Sequence, residues 1–222
     1  MIQTDSLTRI YTMGDVQVHA LKGVSVRIEK GEFIGVIGPS GSGKSTFLHL
    51  VGLLDRQTSG TIMIDGTDIS EMTATDRSRF RLEKMGYVFQ DYALIENLTV
   101  VENIAIPALG LSQDYTDVMD RAGQLADEVG LSGRAGHLRR ELSGGQQQRV
   151  AIARSLMNTP AIVFADEPCA NLDTESSRTI LDLFRRLNEE KGQTVVMVSH
   201  EPWHEEYFDR LIRFVDGRID ER

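Results

Sequence analysis

At positions 38–45 the chain reads Gly38-Pro39-Ser40-Gly41-Ser42-Gly43-Lys44-Ser45, which has the spacing G-x-x-x-x-G-K-[ST]. The nearly continuous apolar run Phe33–Ile37 precedes it and is typical of a strand buried on both faces of a parallel sheet. Ser45–Leu54 follows as an apolar helical stretch. A plain glycine-rich turn between a strand and a helix does not require Lys-Ser at its end. The order of strand, glycine-rich turn and helix therefore predicts a phosphate-binding loop, or P-loop, at 38–45.

The chemistry of the P-loop comes from its backbone and from two side chains. Glycines allow successive backbone N–H groups to turn toward an anion, and a helix N-terminus adds partial positive charge. Lys44 can reach the β- and γ-phosphates of a nucleotide, and Ser45 can ligate Mg²⁺. We expect the phosphates to contact Gly38, Ser40, Gly41, Ser42, Gly43, Lys44, Ser45 and Thr46.

Strand and helix patterns later in the chain extend this arrangement. The apolar runs Ala161–Ala165 and Thr194–Ser199 are typical of central strands. Between them an amphipathic helix has apolar residues at i, i+3, i+4 and i+7, which are Ile180, Leu183, Phe184 and Leu187. Strands that alternate with helices predict an α/β fold with a parallel sheet.

Three other segments have their own patterns. Leu21–Lys30 alternates apolar and polar residues like a half-buried strand, and Arg210–Arg222 holds two short β-like runs around a turn at 216–217. The stretch from about Asp91 to Arg140 contains no good strand. It repeats apolar residues at helical spacing, at Val118, Ala122, Leu125 and Val129. We predict that it is a helical insertion.

The run Ile162–Ala165 ends on two carboxylates, Asp166 and Glu167. Asp166 emerges at the carboxyl end of the predicted strand, where open α/β sheets bind ligands, and can hold Mg²⁺ through water. Glu167 is placed to orient and polarise an attacking water. Alone, the pair could equally form a turn or a helix cap. Beside a P-loop, it favours a catalytic site.

A second glycine-rich stretch, Leu142-Ser143-Gly144-Gly145-Gln146, opens a helix that continues past Val150. Ser143 and Gln146 form the capping-box pattern S-x-x-Q, which explains the start of a helix without any ligand. Two glycines in a first helical turn are nevertheless poor helix formers. They are suitable where exposed N–H groups must approach a phosphate closely.

Composition limits the classes of function. The 222 residues carry a net charge of −9, which disfavours a nucleic-acid binder because phosphate contacts require clustered Lys and Arg. The single cysteine cannot form an internal disulfide, which fits a reducing compartment. The chain has no apolar run near the ~20 residues that span a bilayer, and no secretory signal is visible at its start. We therefore expect any membrane role to depend on a partner.

Taken together, these motifs resemble those of ABC ATPases. The signature-like Leu142–Gln146 stretch carries the resemblance, and the other landmarks occur in the family's order over essentially the whole chain: Tyr11, Gly38–Ser45, Gln90, Leu142–Gln146, Asp166-Glu167, Asn171-Leu172-Asp173 and His200. Individually, Tyr11, Gln90 and His200 would be ordinary surface or strand-end residues. The resemblance implies a P-loop NTPase (RecA-like) parallel core sheet, an N-terminal antiparallel β subdomain, and a helical subdomain inserted at approximately 91–158 of a single domain, 1–222.

The resemblance also implies roles for individual residues. Tyr11 would stack on adenine, Gln90 would sense Mg²⁺ and the water, and His200 would contact the γ-phosphate. The implied catalytic set is Lys44, Gln90, Glu167 and His200, and the implied Mg²⁺ ligands are Ser45, Gln90 and Asp166. The chain would hydrolyse ATP, with Mg²⁺ as cofactor.

Partners are implied by the same resemblance. In this family each ATP lies between the P-loop of one subunit and the signature stretch of another, here Ser143, Gly144, Gly145 and Gln146, so we expect a homodimer. The region near Asp91–Val101 resembles the surface that contacts integral membrane permease subunits. Its apolar residues could instead be ordinary core, which we favour for about half of Tyr92, Leu94, Ile95 and Leu98. A position at the cytoplasmic face of the inner membrane follows, without a nucleic-acid partner.

Less specific residues indicate the branch of the family. The opening from Tyr11 to Val24, Leu53-Leu54-Asp55 and Asn171-Leu172-Asp173 resemble the lipoprotein-release and macrolide-export class (LolD/MacB-like). A cell-division-type (FtsE-like) module, gated by ATP and without a transported substrate, uses the same site and stays an alternative. A DNA-repair or translation ABC ATPase is disfavoured by the chain's architecture and acidity. A GTPase is disfavoured because no N-K-x-D sequence is present.

One position departs from the family pattern. Cys169-Ala170 follows Pro168 where the family usually has Thr-Gly or Ser-Gly. Neither residue performs the chemistry, so hydrolysis is still expected. The Cys169 thiol could be a redox handle near a dimer interface, but we favour a small buried side chain.

Overall fold

The computed structural model describes residues 1–111 and 114–220. Positions 112–113 of the predicted insertion and 221–222 of the predicted C-terminal β runs lie outside these residues. The strands are β1 Ile2–Met13, β2 Val16–Ile28, β3 Phe33–Ile37, β4 Ser59–Ile64, β5 Thr67–Asp68, β6 Met85–Val88, β7 Ile162–Asp166, β8 Thr194–Val198, β9 Arg210–Val215 and β10 Arg218–Ile219. The α-helices are α1 Lys44–Val51, α2 Ala74–Lys84, α3 Val100–Leu109, α4 Tyr115–Glu128, α5 Gly144–Ser155 and α6 Thr174–Lys191.

The central sheet has the strand order β10-β9-β3-β8-β7-β6. Five of its strands run parallel, and β10 pairs antiparallel with β9 at one edge. The predicted parallel sheet is therefore confirmed. Because carboxyl ends of parallel strands share one edge of the sheet, the P-loop after β3, Asp166 at the end of β7 and His200 after β8 all leave from that edge.

Alternate residues of the central strands enter two separate hydrophobic clusters. In β7, Val163 and Ala165 pack into one cluster and Ile162 and Phe164 into the other. The first cluster includes residues of α3 to α6, and the second includes α1 and the N-terminal sheet. Both faces of the sheet are covered, so its strands lack the alternation of a half-exposed sheet, as expected for buried parallel strands.

A second sheet has the order β2-β1-β4-β5, with all its pairs antiparallel. The predicted strand Leu21–Lys30 forms the second half of β2 as far as Ile28, where β2 ends. In the long hairpin of β1 and β2, Tyr11 pairs with Val18. This sheet carries Tyr11 on β1, and α1 and the second cluster lie between it and the central sheet.

Between β6 and β7 the described residues form α3, α4, α5 and a short 3₁₀ helix at Arg139–Glu141, with β structure limited to one isolated bridge. Local signals start these helices: Thr99 and Glu102 form a capping box at α3, and Asp114 caps α4. The C-terminal end of α5 belongs to the core packing, because a side chain at Gly86 of β6 would overlap with the carbonyl group of Ser155. Within the described residues, no helix is long and apolar enough to cross a membrane.

Candidate active site

The P-loop precedes α1, and two of its glycines combine a positive φ with no room for a side chain. Gly38 has φ 142° and Gly43 has φ 106°. A Cβ at Gly38 would overlap with the carbonyl oxygen of Phe214, and one at Gly43 would lie 2.7 Å from the carbonyl oxygen of Ala20. The loop can adopt this conformation only because both positions are glycine.

Lys44 is the first residue of α1 and its side chain folds back over the loop. Its Nζ donates hydrogen bonds to the carbonyl oxygens of Gly38 (2.9 Å) and Pro39 (3.0 Å), and the residue is 6% exposed. Among the described residues, these two neutral acceptors hold the ammonium group without an acidic partner. An arriving phosphate therefore meets a positive charge that is not directly paired with a carboxylate of the described residues.

The helices differ at their N-termini in a way that points to anions. Side chains of Thr73, Thr99, Asp114, Ser143 and Asp173 cap α2 to α6, whereas α1 begins at Gly43 without a side-chain cap. Among the described α-helices, α1 and α5 have no acidic residue in the first turn. Their partial positive charge is thus left for a ligand.

Two features of the P-loop region fit a nucleotide with Mg²⁺. The Ser42 hydroxyl is buried in the loop and has no hydrogen-bond partner among the described residues. The Ser45 hydroxyl donates to Asp166 Oδ1 at 3.0 Å, and His49 Nε2 lies 3.3 Å from Asp166 Oδ2. A hydroxyl beside a carboxylate provides the oxygen ligands that Mg²⁺ prefers. The described residues hold no group of three or more His, Cys, Asp and Glu side chains that could bind a metal ion.

Glu167 and His200 meet at the edge of the same site. Glu167 has φ 47°, a conformation uncommon for a non-glycine residue, and its N–H donates to the carbonyl oxygen of Val198. Its Oε2 lies 3.3 Å from His200 Nδ1, and His200 Nε2 lies 3.3 Å from Glu201 Oε1. The P-loop residues Gly38 to Ser40, Lys44, Glu167 and His200 line one cavity of about 610 Å³.

Tyr11 is held by a network that the sequence did not reveal. Its hydroxyl donates to Asp55 Oδ2 at 2.8 Å, and Arg9 Nη2 donates to Asp55 Oδ1 at 2.9 Å. The Arg9 guanidinium lies 4.3 Å from the Tyr11 ring centroid. Burial acts to raise the pKa of Asp55, but hydrogen bonds from Tyr11, the Arg56 N–H and Arg9 outweigh it, so the pKa is below its usual value. The ring is thus fixed in orientation, with Arg9 over one face.

Gln90 follows β6 and is exposed. Its backbone carbonyl accepts a hydrogen bond from Asn171, which the sequence could not indicate because 81 positions separate the two residues. The metal and catalytic roles expected of the Gln90 side chain stay predictions.

The stretch Ser143–Gln146 lies at the N-terminus of α5 and does not line the 610 Å³ cavity. The capping box is present: Ser143 Oγ accepts from the Gln146 N–H, and Gln146 Oε1 accepts from the Ser143 N–H. The Ser143 hydroxyl still has its own hydrogen to donate. A Cβ at Gly144 would lie 3.0 Å from Tyr92 Oη, so packing within the chain is one reason for this glycine.

Comparison with known proteins decides the family. The family model described as ABC transporter matches residues 21–170. The chain belongs to the ABC transporter family. The ABC ATPase prediction made from the motifs is therefore confirmed, and nucleotide binding with it.

Relatives of this ABC ATPase include stand-alone chains and parts of longer ones. An uncharacterized ABC transporter ATP-binding protein of Thermotoga maritima is 45% identical over 96% of this chain and 90% of its own length. The macrolide export ATP-binding/permease protein MacB of Bdellovibrio bacteriovorus is 42% identical over 100% of this chain, which spans only 34% of that relative. These matches confirm the resemblance to the macrolide-export class.

Solved structures confirm the predicted fold class. The dimeric structure of the ATP-binding cassette MJ0796 in a post-hydrolysis state, bound to ADP and Pi, has a TM-score of 0.91. It is 39% identical, and the match covers 100% of this chain and 97% of that one. The parallel core sheet of this ABC ATPase, its antiparallel strands and its helices are those of a P-loop NTPase cassette.

Proposed function

We propose that two copies of this ABC ATPase close head-to-tail around two Mg·ATP and that their closing and opening drive membrane partners in export, lipoprotein release or mechanical work. One observation carries the proposal. The P-loop, Glu167 and His200 line one cavity, while the acid-free N-terminus of α5 at Ser143 lies outside it. Each copy thus holds two half-sites with phosphate-binding features, and a second copy can complete both.

Within each composite site the residues have separate roles in binding and hydrolysis. Lys44 leaves the carbonyl oxygens of Gly38 and Pro39 to bind the β- and γ-phosphates. Ser45 and Asp166 would hold Mg²⁺, which when bound would offset negative charge on the phosphate oxygens. Glu167 orients the attacking water and accepts its proton. His200, 3.3 Å from Glu167, contacts the γ-phosphate. Tyr11 presents the ring face opposite Arg9 to adenine.

The partner copy contributes Ser143, Gly144 and Gly145 from the start of α5. Because Ser143 Oγ accepts the capping bond from Gln146, its hydroxyl hydrogen is free to donate to the γ-phosphate. The N–H groups of the first turn, with no acidic residue nearby in that turn, add two more donors. The capping box and the phosphate contact are therefore compatible.

A groove on another face is suited to a membrane subunit. Residues of α2, β6, α3 and α5 line a cleft of about 460 Å³, together with the exposed Leu54 and with Ala93. In the Asp91–Val101 region Leu94 is buried, Ile95 is 50% exposed, and Tyr92 and Leu98 are partly buried. Of these four apolar residues Leu94 belongs to the core and Tyr92 packs against it. We propose that the groove, together with the Asp91–Val101 region, receives a segment of an integral membrane permease at the cytoplasmic face of the inner membrane.

Two contacts connect this groove with the nucleotide site. Asn171 Nδ2 donates to the Gln90 carbonyl oxygen at 3.0 Å. The Arg154 guanidinium of α5 donates to the carbonyl oxygens of Tyr92 and Ala93, both of which have positive φ. A shift of α5 or of the Asn171 loop would thus move the segment 90–93 at the edge of the groove.

Mixing two inactive variants tests the shared site. Lys44→Ala removes the P-loop lysine and Ser143→Arg blocks the signature stretch, so each variant alone should hydrolyse ATP poorly. A mixed dimer regains one intact site, which gives about a quarter of wild-type activity for random pairing. Asp114→Ala, which removes another helix cap at a comparable cost of about 1 kcal/mol, controls for lost capping and should hydrolyse normally. Absence of recovery on mixing would contradict a site shared between copies.

A second experiment tests whether a membrane protein binds to the groove. Tagged Glu167→Gln, purified with Mg·ATP from solubilised native membranes, should co-elute with a stoichiometric membrane protein. Leu54→Asp, in the groove and 44% exposed in the wild type, should abolish co-elution. Leu109→Asp, 48% exposed but outside the groove lining, should not. Equal retention of the partner by both variants would refute the groove as its docking site.

A further inference from the structure

A smaller cavity, of about 150 Å³, lies behind Glu167 and His200. One of its walls is His204, in the short 3₁₀ helix Pro202–Tyr207 that follows β8. His204 is only 3% exposed, and its Nδ1 lies 2.7 Å from the hydroxyl oxygen of Ser199, which is 4% exposed. The roles deduced above for the active site do not use this buried histidine–serine pair.

The pair fixes the turn that carries His200. Ser199 Oγ, besides contacting His204, accepts a hydrogen bond from the Glu201 N–H at 3.2 Å. The Ser199 N–H donates to the carbonyl oxygen of Val36 in β3, at 3.1 Å. The Ser199 hydroxyl group therefore holds the residues on both sides of His200. The His200 imidazole lies between the carboxylates of Glu167 and Glu201.

The His204 ring is itself held in place by its surroundings. Its centroid lies 4.2 Å from that of Trp203 in an edge arrangement of 83°, and Arg178 of α6 lies 4.9 Å over the Trp203 ring. Burial lowers the pKa of His204, so the imidazole is neutral. A neutral imidazole nitrogen can either donate a hydrogen bond to a serine hydroxyl or accept one from it.

Stability alone does not favour a histidine at this position. Among the described residues, His204 Nε2 is buried without a hydrogen-bond partner, and a buried nitrogen without a partner destabilises the folded state. An apolar side chain of similar volume would remove this cost while filling the same space. Such an apolar side chain would, however, lose the hydrogen bond with Ser199.

We propose that His204 is a positioning residue for ATP hydrolysis: through Ser199 it fixes the turn that holds His200 against Glu167. The inference rests on the proposed function, because it takes Glu167 and His200 as the groups that act on the water and the γ-phosphate. His204 itself does not touch the reacting atoms.

Steady-state kinetics and thermal unfolding of the full chain, measured together, test the proposal. His204→Leu should lower kcat roughly 3- to 10-fold, the effect of one lost buried hydrogen bond, with KM for Mg·ATP within about twofold and with no fall in Tm. His204→Asn, which places an amide near the position of Nδ1, should restore kcat. Ser199→Ala should match His204→Leu, and the double variant should be no slower than the slower single one.

Two controls separate the possible failures. Cys169→Ala changes the same small cavity without touching the Ser199–Glu201 turn, so its kcat should stay at the wild-type value. If Glu167→Gln hydrolyses ATP slowly and His204→Leu at the wild-type rate, the positioning role is refuted and the proposed function stands. If Glu167→Gln hydrolyses ATP normally, the proposed function itself is refuted. A fall in Tm parallel to kcat in His204→Leu, or an equal loss in Cys169→Ala, would show a merely structural role and overturn the inference.

Discussion

Asn171 Nδ2 donates a hydrogen bond of 3.0 Å to the backbone carbonyl oxygen of Gln90. Asn171 lies in the loop between β7 and α6. Gln90 follows β6, which is the strand that pairs with β7. The bond thus joins the loop that follows Glu167 to the segment at the edge of the groove. It gives the nucleotide site a direct physical connection to the surface proposed to face the membrane partner.

Loss of this bond should loosen the Gln90 segment. In Asn171→Ala we expect backbone amides near residues 90–93 to exchange with solvent roughly 2- to 10-fold faster, because a net hydrogen bond is worth about 0.5–1.5 kcal/mol. Hydrogen–deuterium exchange followed by mass spectrometry measures this, with amides of β3 as the internal control. Unchanged exchange at 90–93 would show that the contact does not hold the segment.

Glu167 should be the carboxylate on which turnover depends. Glu167→Gln is expected to slow kcat by roughly 10²–10⁴-fold, as for other lost general bases, while ATP still binds. Glu205→Gln is the matched control, since Glu205 lines the same 610 Å³ cavity and pairs with Arg213 at 3.0 Å. It should hydrolyse ATP within about twofold of wild type. A similar loss in both variants would point to the charge of the cavity rather than to one base.

Asp55 should control ATP affinity through Tyr11. Asp55→Asn weakens the acceptor that holds both the Tyr11 hydroxyl and Arg9, so KM for ATP should rise roughly 3- to 10-fold for one weakened charged hydrogen bond, with kcat little changed. Asp15→Asn removes an exposed carboxylate from the β1–β2 turn of the same sheet and should leave KM unaltered. A wild-type KM in Asp55→Asn would show that the network does not position Tyr11 for adenine.

The Cys169 thiol should be inert in the folded protein. Burial raises its pKa to about 12, although a hydrogen bond with the Ser177 side chain acts in the opposite direction. At pH 8 the thiolate fraction is then on the order of 10⁻⁴, and thiol reagents act on the thiolate. A disulfide reagent should label it slowly in native buffer and at once in guanidinium chloride. Rapid native labelling would instead support a redox handle at this position.

Local sequence signals were sufficient for the fold and for the P-loop. Each local pattern predicts the element in which it lies, because the pattern depends only on residues a few positions apart. This holds for the buried runs at β3, β7 and β8 and for the helical spacing in α4 and α6. The strand boundaries shifted slightly: the predicted run Ala161–Ala165 became Ile162–Asp166, because the ladder with β8 continues to Asp166.

Contacts between distant positions were beyond the same signals. Arg9 and Tyr11 reach Asp55 across 46 and 44 positions, and no spacing rule connects them. His204 in the sequence is one histidine among 5, and only the fold shows its contact with Ser199. The structure also added a second reason for Gly144, the close approach of Tyr92, where the sequence suggested only an approaching phosphate.

The mass of Glu167→Gln in solution tests the central claim most directly, because the variant should bind ATP without turning it over. Light scattering after size exclusion should give a dimer with Mg·ATP and a monomer with ADP or without nucleotide. Adding Ser143→Arg should return the ATP-bound protein to a monomer. A Glu167→Gln chain that binds Mg·ATP and yet stays monomeric would contradict the closing of two copies around ATP.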